Sequence, residues 1–350
     1  MGYKIAQTGS FDVENFGDLL FSDVFEKQMK KRLDCEVVFF SPDGCQIPGR
    51  NEITHSLSEM HAIQKEKGFD ACVIGGGDLI HFGKMPMVRP FISEKEMLYN
   101  APSMWIVPAL ISQKYDIPLM LNAPGVPANF SDCEANVVRN LFAGASYLSV
   151  RDENAKEVLA KTADREKIQV VPDTVLTISE IFPKETLTER LHRLYPDLKE
   201  GQYLTAQLNY KFDETDRQAF VNALKEIRKE TGWDILIQPI GWSMGDVESA
   251  EGIRQLLPED FHVCSQHMSQ YDLLAVLSHG AFYIGSSLHG AIVSTSYGVR
   301  AVVCNVNHYN KSRGFMKLLE REDACCEDMT LLKQSFDLQV NREPADITAL

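Results

Sequence analysis

The sequence predicts an α/β protein built as two Rossmann-like domains whose parallel sheets face a cleft. Three observations predict it. Short apolar runs of strand length alternate with helical patterns almost throughout, the signature of parallel strands covered on both faces. The rhythm breaks once, over 183–201, and then restarts. Glycines and short polar residues collect where strands end, the side on which such sheets bind ligands.

Taken in order, "YKIAQTG" is the first strand. A glycine-containing turn leads into "DLLFSDVFEKQMKKRL", a helix in which Leu20, Val24, Met29 and Leu33 share one face. The strands "EVVFF" (36–40), "DACVIGGG" (70–77), "IPLMLNAPG" (117–125), "ASYLSVRD" (145–152) and "IQVVPD" (168–173) follow. Helices over Cys133–Phe142 and Asn154–Lys161 separate the later ones. The stretch "PKETLTERLHRLYPDLKEG" is polar, carries prolines near both ends and finishes in glycine, so 1–182 is the first domain and 183–201 the link. Over 202–330 the pattern resumes, with strands at 202–209, 234–241, 261–265, 281–285 and 300–304. Helices at 214–230, 246–257, 269–279, 288–298 and 312–320 fill the spaces. The tail 331–350 has no clear pattern, and is left either to pack back on the first domain or to hang loose.

At 350 residues, with 44% apolar and 24% charged, the chain has material for two cores. Its net charge of −14 repels phosphate backbones and anionic lipid, which argues against nucleic-acid and membrane-surface partners. No segment is long enough to span a bilayer: "MWIVPALI" at 104–111 is short and contains Pro108. The start has no signal-peptide plan, and Ala6 stands where a myristoylation motif needs Ser or Thr. The 8 cysteines include no C-x-x-C pair, and Cys72 and Cys304 lie in apolar strands, which suits a reducing cytoplasm.

Four strand ends carry candidate chemistry. In "TGSFDVENFGDLL", Asp12, Asn15 and Asp18 either cap a helix or meet a ligand. In "VIGGGDLIH", Gly75, Gly76 and Gly77 either turn backbone N–H groups toward an anion at a helix start or allow tight packing; Asp78 and His81 cap or bind. In "YLSVRDENAKEVL", Arg151 either offers a fork to carboxylate or phosphate or forms an Arg–Asp pair. In "GSSLHGAIVSTSYGV", Gly285 and Gly290 have P-loop spacing, but Ala291 and Ile292 replace the Lys and Ser/Thr that a P-loop requires. Ser286, Ser287, the helix-start N–H groups and His289 then make an anion cradle with a proton donor, unless the histidine is structural. After the strand at 300–304, Lys311 and Arg313 bind phosphate or merely open a solvated helix. His262, Cys264 and His267 have no fourth ligand at a sensible spacing, and no metal or other cofactor is expected.

The ordered set of these stretches resembles the polysaccharide pyruvyl transferase family. The elements are Asn15-Phe16-Gly17-Asp18, Gly75-Gly76-Gly77, Ser149-Val150-Arg151-Asp152, Pro172-Asp173 and His289-Gly290 through Gly298-Val299-Arg300-Ala301-Val302. The resemblance implies a GT-B-like fold and transfer of the enolpyruvyl group of phosphoenolpyruvate to two hydroxyls of a sugar or glycolipid acceptor. The product is a cyclic ketal in cell-surface glycan synthesis. It also implies that His289 and Arg151 bind the donor. Many members carry Arg two residues before the histidine; this chain has Ser287, which leaves Arg300, Lys311 or Arg313 to compensate, or a different donor.

On the residues themselves, His289 would protonate the donor's methylene or hold its phosphate, and Arg151 with the helix-start N–H groups would hold its anionic groups. Asp12, Asp18 and Asp78 are equal candidates to activate the acceptor hydroxyl. A glycosyltransferase using a nucleotide sugar and a non-catalytic binding protein of the same fold are the alternatives. The oligomeric state has no sequence signal.

Overall fold

The computed structural model describes residues 2–83, 85–86, 98–99, 101–242, 245–258, 261–264, 266–348 and 350. It comprises two compact units, Met1–Thr174 and Val175–Leu350.

The first unit contains strands β1 (Tyr3–Thr8), β2 (Cys35–Ser41), β3 (Cys45–Gln46), β4 (Ile53–Ser56), β5 (Ala71–Gly75), β6 (Met85–Pro86), β7 (Leu98–Tyr99), β8 (Leu119–Asn122), β9 (Tyr147–Val150) and β10 (Ile168–Val170). Eight of them form one sheet in the order β10-β9-β8-β5-β1-β2-β4-β3, while β6 and β7 pair with each other. The large sheet is parallel except for β3, which runs antiparallel to β4. Its helices are α1 (Phe16–Arg32), α2 (Met60–Lys67), α3 (Ser103–Tyr115), α4 (Asp132–Phe142) and α5 (Glu153–Leu159). Chain direction explains where they begin. Asn15 caps α1, Ser131 and Glu134 form a capping box on α4, and Asp152 accepts from Ala155 N to cap α5. Leu20 and Val24 are buried in α1 as their spacing predicts, but α1 ends at Arg32 and Leu33 is exposed. The core runs from Phe40, edge-on to Phe69 at 5.7 Å, to Trp105, which meets Phe82 edge-on at 5.0 Å.

The second unit holds α6 (Ile178–Ile181), α7 (Thr188–Leu194), β11 (Tyr203–Gln207), α8 (Glu214–Thr231), β12 (Asp234–Ile237), α9 (Asp246–Arg254), β13 (His262–Val263), α10 (Gln270–His279), β14 (Phe282–Gly285), α11 (Leu288–Ser296), β15 (Arg300–Cys304), α12 (Asn310–Leu318), β16 (Cys325–Cys326) and α13 (Leu332–Val340). Its 6 strands are all parallel, ordered β13-β12-β11-β14-β15-β16. Ser265, last in the stretch expected as a strand, lies outside the described residues.

Two sequence expectations about organisation change. Residues 183–201 fall inside the second unit rather than between units. Their polar composition hides Leu187 and Leu191, both buried, and α7 packs on α10, where Arg190 Nη1 donates to Asp272 Oδ1 at 2.6 Å. The tail past 330 belongs to this unit as well. It forms α13, whose Phe336 ring lies 4.7 Å from Phe282 and 6.2 Å from Trp233.

In each large sheet the strand order reverses beside the first strand of the unit. In the first unit β1 sits between β2 and β5; in the second, β11 sits between β12 and β14. Beyond the carboxyl ends of the strands at such a reversal, neighbouring loops diverge and leave a crevice. The candidate residues gather at these two places and are described unit by unit.

Candidate functional site

At the reversal of the first unit, β5 ends in Gly75. Gly76 and Gly77 then take positive φ values of 82° and 71°, backbone that side chains rarely adopt. A methyl group at Gly76 would overlap the Phe21 ring of α1. Among the described residues no helix starts here, the next being α3 at Ser103. The glycines therefore serve close packing and a reversal of direction, and not the expected helix-start anion cradle. Asp78 and His81 cap no described helix for the same reason. The His81 ring accepts from Gly83 N at 3.0 Å, and its burial lowers its pKa.

Asp78 is instead bonded by Arg151, which leaves the carboxyl end of β9. Arg151 Nη2 donates to Asp78 Oδ1. Arg151 Nε and Nη1 lie 3.8 Å from carboxylate oxygens of Asp152 and Asp173 respectively. The guanidinium is buried, at 5% side-chain exposure, whereas Asp78 is 31% exposed. Burial alone would lower the pKa of Arg151, but Asp78, Asp173, Asp152 and Asp18 together raise it. Gly125 closes over the pair: its amide donates to Gly77 O at 2.8 Å, and a side chain there would run into Asp78 and Arg151. The sequence offers Arg151 to a ligand. The structure gives it to a ring of aspartates, among which Asp78 is 31% exposed and Asp173 4%.

The remaining residues of the first motif divide. Asn15 is a helix cap, accepting from Gly17 N at 3.2 Å. Asp12 is fully buried and accepts from Asp43 N at 2.9 Å. Asp18 is half-buried, its carboxylate beside Gly77.

At the reversal of the second unit, one side chain organises the others. Gln207 ends β11, directly opposite Gly285 of β14. Its amide oxygen accepts from Ser286 N at 3.0 Å, Ser287 N at 2.9 Å and Ser286 Oγ at 3.2 Å. Its amide nitrogen donates to Asp246 Oδ2 at 2.7 Å, and the same oxygen accepts from Ile240 N at 3.0 Å and Gly241 N at 2.8 Å. Both side chains are buried, and burial pushes the Asp246 carboxyl up to about 6 against those favourable bonds. Two N–H groups that the sequence assigns to a ligand are therefore held by a neutral amide.

Ser287 caps α11, accepting from Gly290 N at 3.2 Å. The Gly-x4-Gly spacing has a packing cause. The Tyr283 hydroxyl lies where a methyl at Gly285 or Gly290 would stand, and donates to Ser287 O at 3.2 Å. His289 occupies the first turn of α11, half-buried, where the strand-to-helix turn opens at the carboxyl edge of the sheet.

The expected compensating cations separate. Arg313 is exposed, donating to Glu327 Oε2 at 2.9 Å and meeting His308 Nδ1 at 3.0 Å. Arg300 begins β15, at the opposite end of the strand from His289, and donates to the Arg342 carbonyl. Lys311 stands in the first turn of α12, 5.8 Å from the Tyr309 ring. Lys211 and Gln207 were not singled out in the sequence. Their partners in other loops are 98 and 80 positions away, and no local pattern marks them.

Among the described residues no group of three or more His, Cys, Asp or Glu is placed to hold a metal, and the His267 ring lies 4.9 Å from Trp242. No described helix is long and apolar enough to cross a membrane.

Comparison with solved structures supports the architecture. A UDP-GlcNAc 2-epimerase from Methanocaldococcus jannaschii aligns with a TM-score of 0.61 at 13% identity, over 98% of this chain and 93% of that one. The Neisseria meningitidis UDP-GlcNAc 2-epimerase gives 0.55 at 11% identity, covering 96% and 98%. Phytolacca americana UGT2 gives 0.51 at 12%, covering 96% and 89%. At these identities the likeness is one of fold, two Rossmann-like domains of the GT-B kind. No curated protein gives a match. The family model for polysaccharide pyruvyl transferase matches residues 15–308, from the cap of α1 past the end of β15, and so takes in the strand-order reversal of the second sheet and the strands of the first from β2 onward. The chain therefore belongs to the polysaccharide pyruvyl transferase family, a family of transferase enzymes.

Proposed function

We propose that this protein moves the enolpyruvyl group of phosphoenolpyruvate onto two hydroxyls of a sugar or glycolipid precursor, closing a cyclic ketal and releasing inorganic phosphate. The observation that carries the reading is His289: a titratable ring in the first turn of α11, at the strand-order reversal of the second sheet, within the matched family region.

An imidazolium there would deliver a proton to the methylene carbon of phosphoenolpyruvate, leaving a cationic C2 that a sugar hydroxyl attacks. A second hydroxyl would displace phosphate from the same carbon. The helix dipole of α11 favours the departing anion. Gln207 would keep the turn rigid while this happens, because its amide oxygen holds both serine amides in place. Ser286, Ser287 and Gly290 act through that turn, and Lys311 approaches the same edge of the sheet.

On the first unit, Asp78 is favoured over Asp12 and Asp18 as the carboxylate that takes up an acceptor proton. It is more open than Asp152 and Asp173, which also lie within 4 Å of Arg151, whereas Asp12 is fully buried and accepts from Asp43 N in another loop. Arg151 then orients Asp78 instead of gripping the donor. Gly75, Gly76 and Gly77 shape the loop that presents it. Fold likeness alone supports the alternative of a nucleotide-sugar glycosyltransferase.

The test is calorimetric titration of the purified protein with phosphoenolpyruvate and with nucleotide sugars, repeated in His289→Gln. Phosphoenolpyruvate binding weakened tenfold or more in the variant supports the reading. Binding of a nucleotide sugar but not of phosphoenolpyruvate sinks it.

A further inference from the structure

Ser287 puts no positive charge on the His289 turn; of the cations expected to compensate, Arg313 is paired with Glu327 and Arg300 lies at the other end of its strand, while Lys311 approaches the same edge of the sheet. Another cation stands close by. In the second sheet β14 lies between β11 and β15. The loop after β11 carries Tyr210 and Lys211, and the loop after β15 carries Tyr309, the residue that precedes α12. Lys211 Nζ donates to Tyr309 Oη at 2.8 Å. Neighbouring strands lie about 4.8 Å apart, so β11 and β15 are separated by about 10 Å. The Lys211–Tyr309 bond therefore reaches across the carboxyl end of β14, the strand that feeds Ser286, Ser287 and His289.

The position is built. Asn209 N donates to Ser286 Oγ at 3.1 Å, tying the Lys211 loop to the His289 turn, and Lys211 N donates to Asn209 Oδ1 at 2.9 Å. The Lys211 ammonium lies 5.2 Å from the Tyr309 ring centre and 6.0 Å from that of Tyr210. In a chain of net charge −14 it makes no ion pair among the described residues. An ammonium has three donors, and Tyr309 takes one. Two are left for an oxyanion.

We propose that Lys211, steadied by Tyr309, receives a phosphate or carboxylate group of the ligand bound at the His289 turn and supplies the positive charge absent at Ser287. This rests on the reading of that turn as the donor site. The flanking rings hold the ammonium by cation–π attraction without neutralising it, as a carboxylate would.

The experiment uses the full chain, with Lys211→Met, Lys211→Arg and Tyr309→Phe. Each is titrated calorimetrically with phosphoenolpyruvate, inorganic phosphate and uridine diphosphate, and thermal unfolding serves as the folding control. Lys211 is exposed, so Lys211→Met is expected to keep its unfolding temperature while losing tenfold or more in affinity for phosphoenolpyruvate. Lys211→Arg should stay within threefold of the parent. Tyr309→Phe should lose less than Lys211→Met, because the charge remains. Equal phosphoenolpyruvate affinity in parent and Lys211→Met overturns the proposal while leaving pyruvyl transfer intact. If the parent binds phosphate or uridine diphosphate but not phosphoenolpyruvate, and Lys211→Met loses that binding, the subsite stands and the transfer reading falls. Absence of binding to all three probes overturns the subsite.

Discussion

Asp246 holds an unusual position for a carboxylate. Three N–H donors converge on one of its oxygens, yet burial pushes its pKa up to about 6. Relative to the unfolded chain, with a value near 3.8, the folded protein therefore favours the protonated form. The sign follows: this group favours folding most below about pH 4, the contribution declines as pH rises to about 6, and it is flat above. The full span is on the order of 3 kcal/mol. Asp246→Asn can place its amide oxygen on the same three donors and carries no charge to desolvate. Urea unfolding at pH 4 and pH 8 should show the variant near the parent at pH 4 and more stable by about 1–3 kcal/mol at pH 8. Loss of stability at pH 8 would mean that the network needs the ionised form. Gln207, on the other side of that bond, shows why some of the site was illegible in the sequence. A glutamine at a strand end has no characteristic neighbours, and its meaning comes from Ser286 and Ser287, nearly eighty positions on.

Elements were easier to read than roles. Helices α8, α10 and α11 begin within a residue of where the pattern places them, and Asp213, Ser269 and Ser287 cap them there through local bonds between residues three apart. Strands followed from unbroken apolar runs, buried on both faces. For the glycines the sequence left packing and anion binding open at 75–77, and the side chains that fill the space are visible only in the fold: Phe21 at Gly76, and Tyr283 at Gly285 and Gly290. The same overlap sets a prediction for the β14–α11 connection. Gly290→Ala pushes a methyl into the Tyr283 ring and hydroxyl, at a cost of about 1–3 kcal/mol typical of overpacking. Chemical denaturation measures it. Adding Tyr283→Leu should recover part of the loss, and a double variant no better than the sum of its single changes would refute the steric explanation.

Across the molecule, the division at Thr174–Val175 gives each unit its own parallel sheet and its own strand-order reversal. The two-domain plan was legible because the alternation of strand and helix restarts. The boundary was misplaced because the polar stretch 183–201 contributes buried Leu187 and Leu191 to the second unit, and the tail was unreadable because its anchors, buried Leu332 and Phe336 and the bonds of Gln339 and Arg342 to Asp323, are too few and too scattered to make a pattern. Residues 175–350 produced alone are expected to fold cooperatively, with one urea transition and α/β circular dichroism. A fragment with no cooperative transition would show that the second unit depends on the first.

The hydroxyl of Tyr283 has a consequence for how this chain can change over time. It stands against positions 285 and 290 at once, so an ordinary side chain at either one is barred while the phenol is there, and a smaller residue at 283 would leave a hole beside two bare backbones. At 285 the Gln207 carbonyl crowds a side chain as well, so that position is closed twice over. Packing of this kind holds a nucleotide-loop spacing in place whether or not any nucleotide is bound.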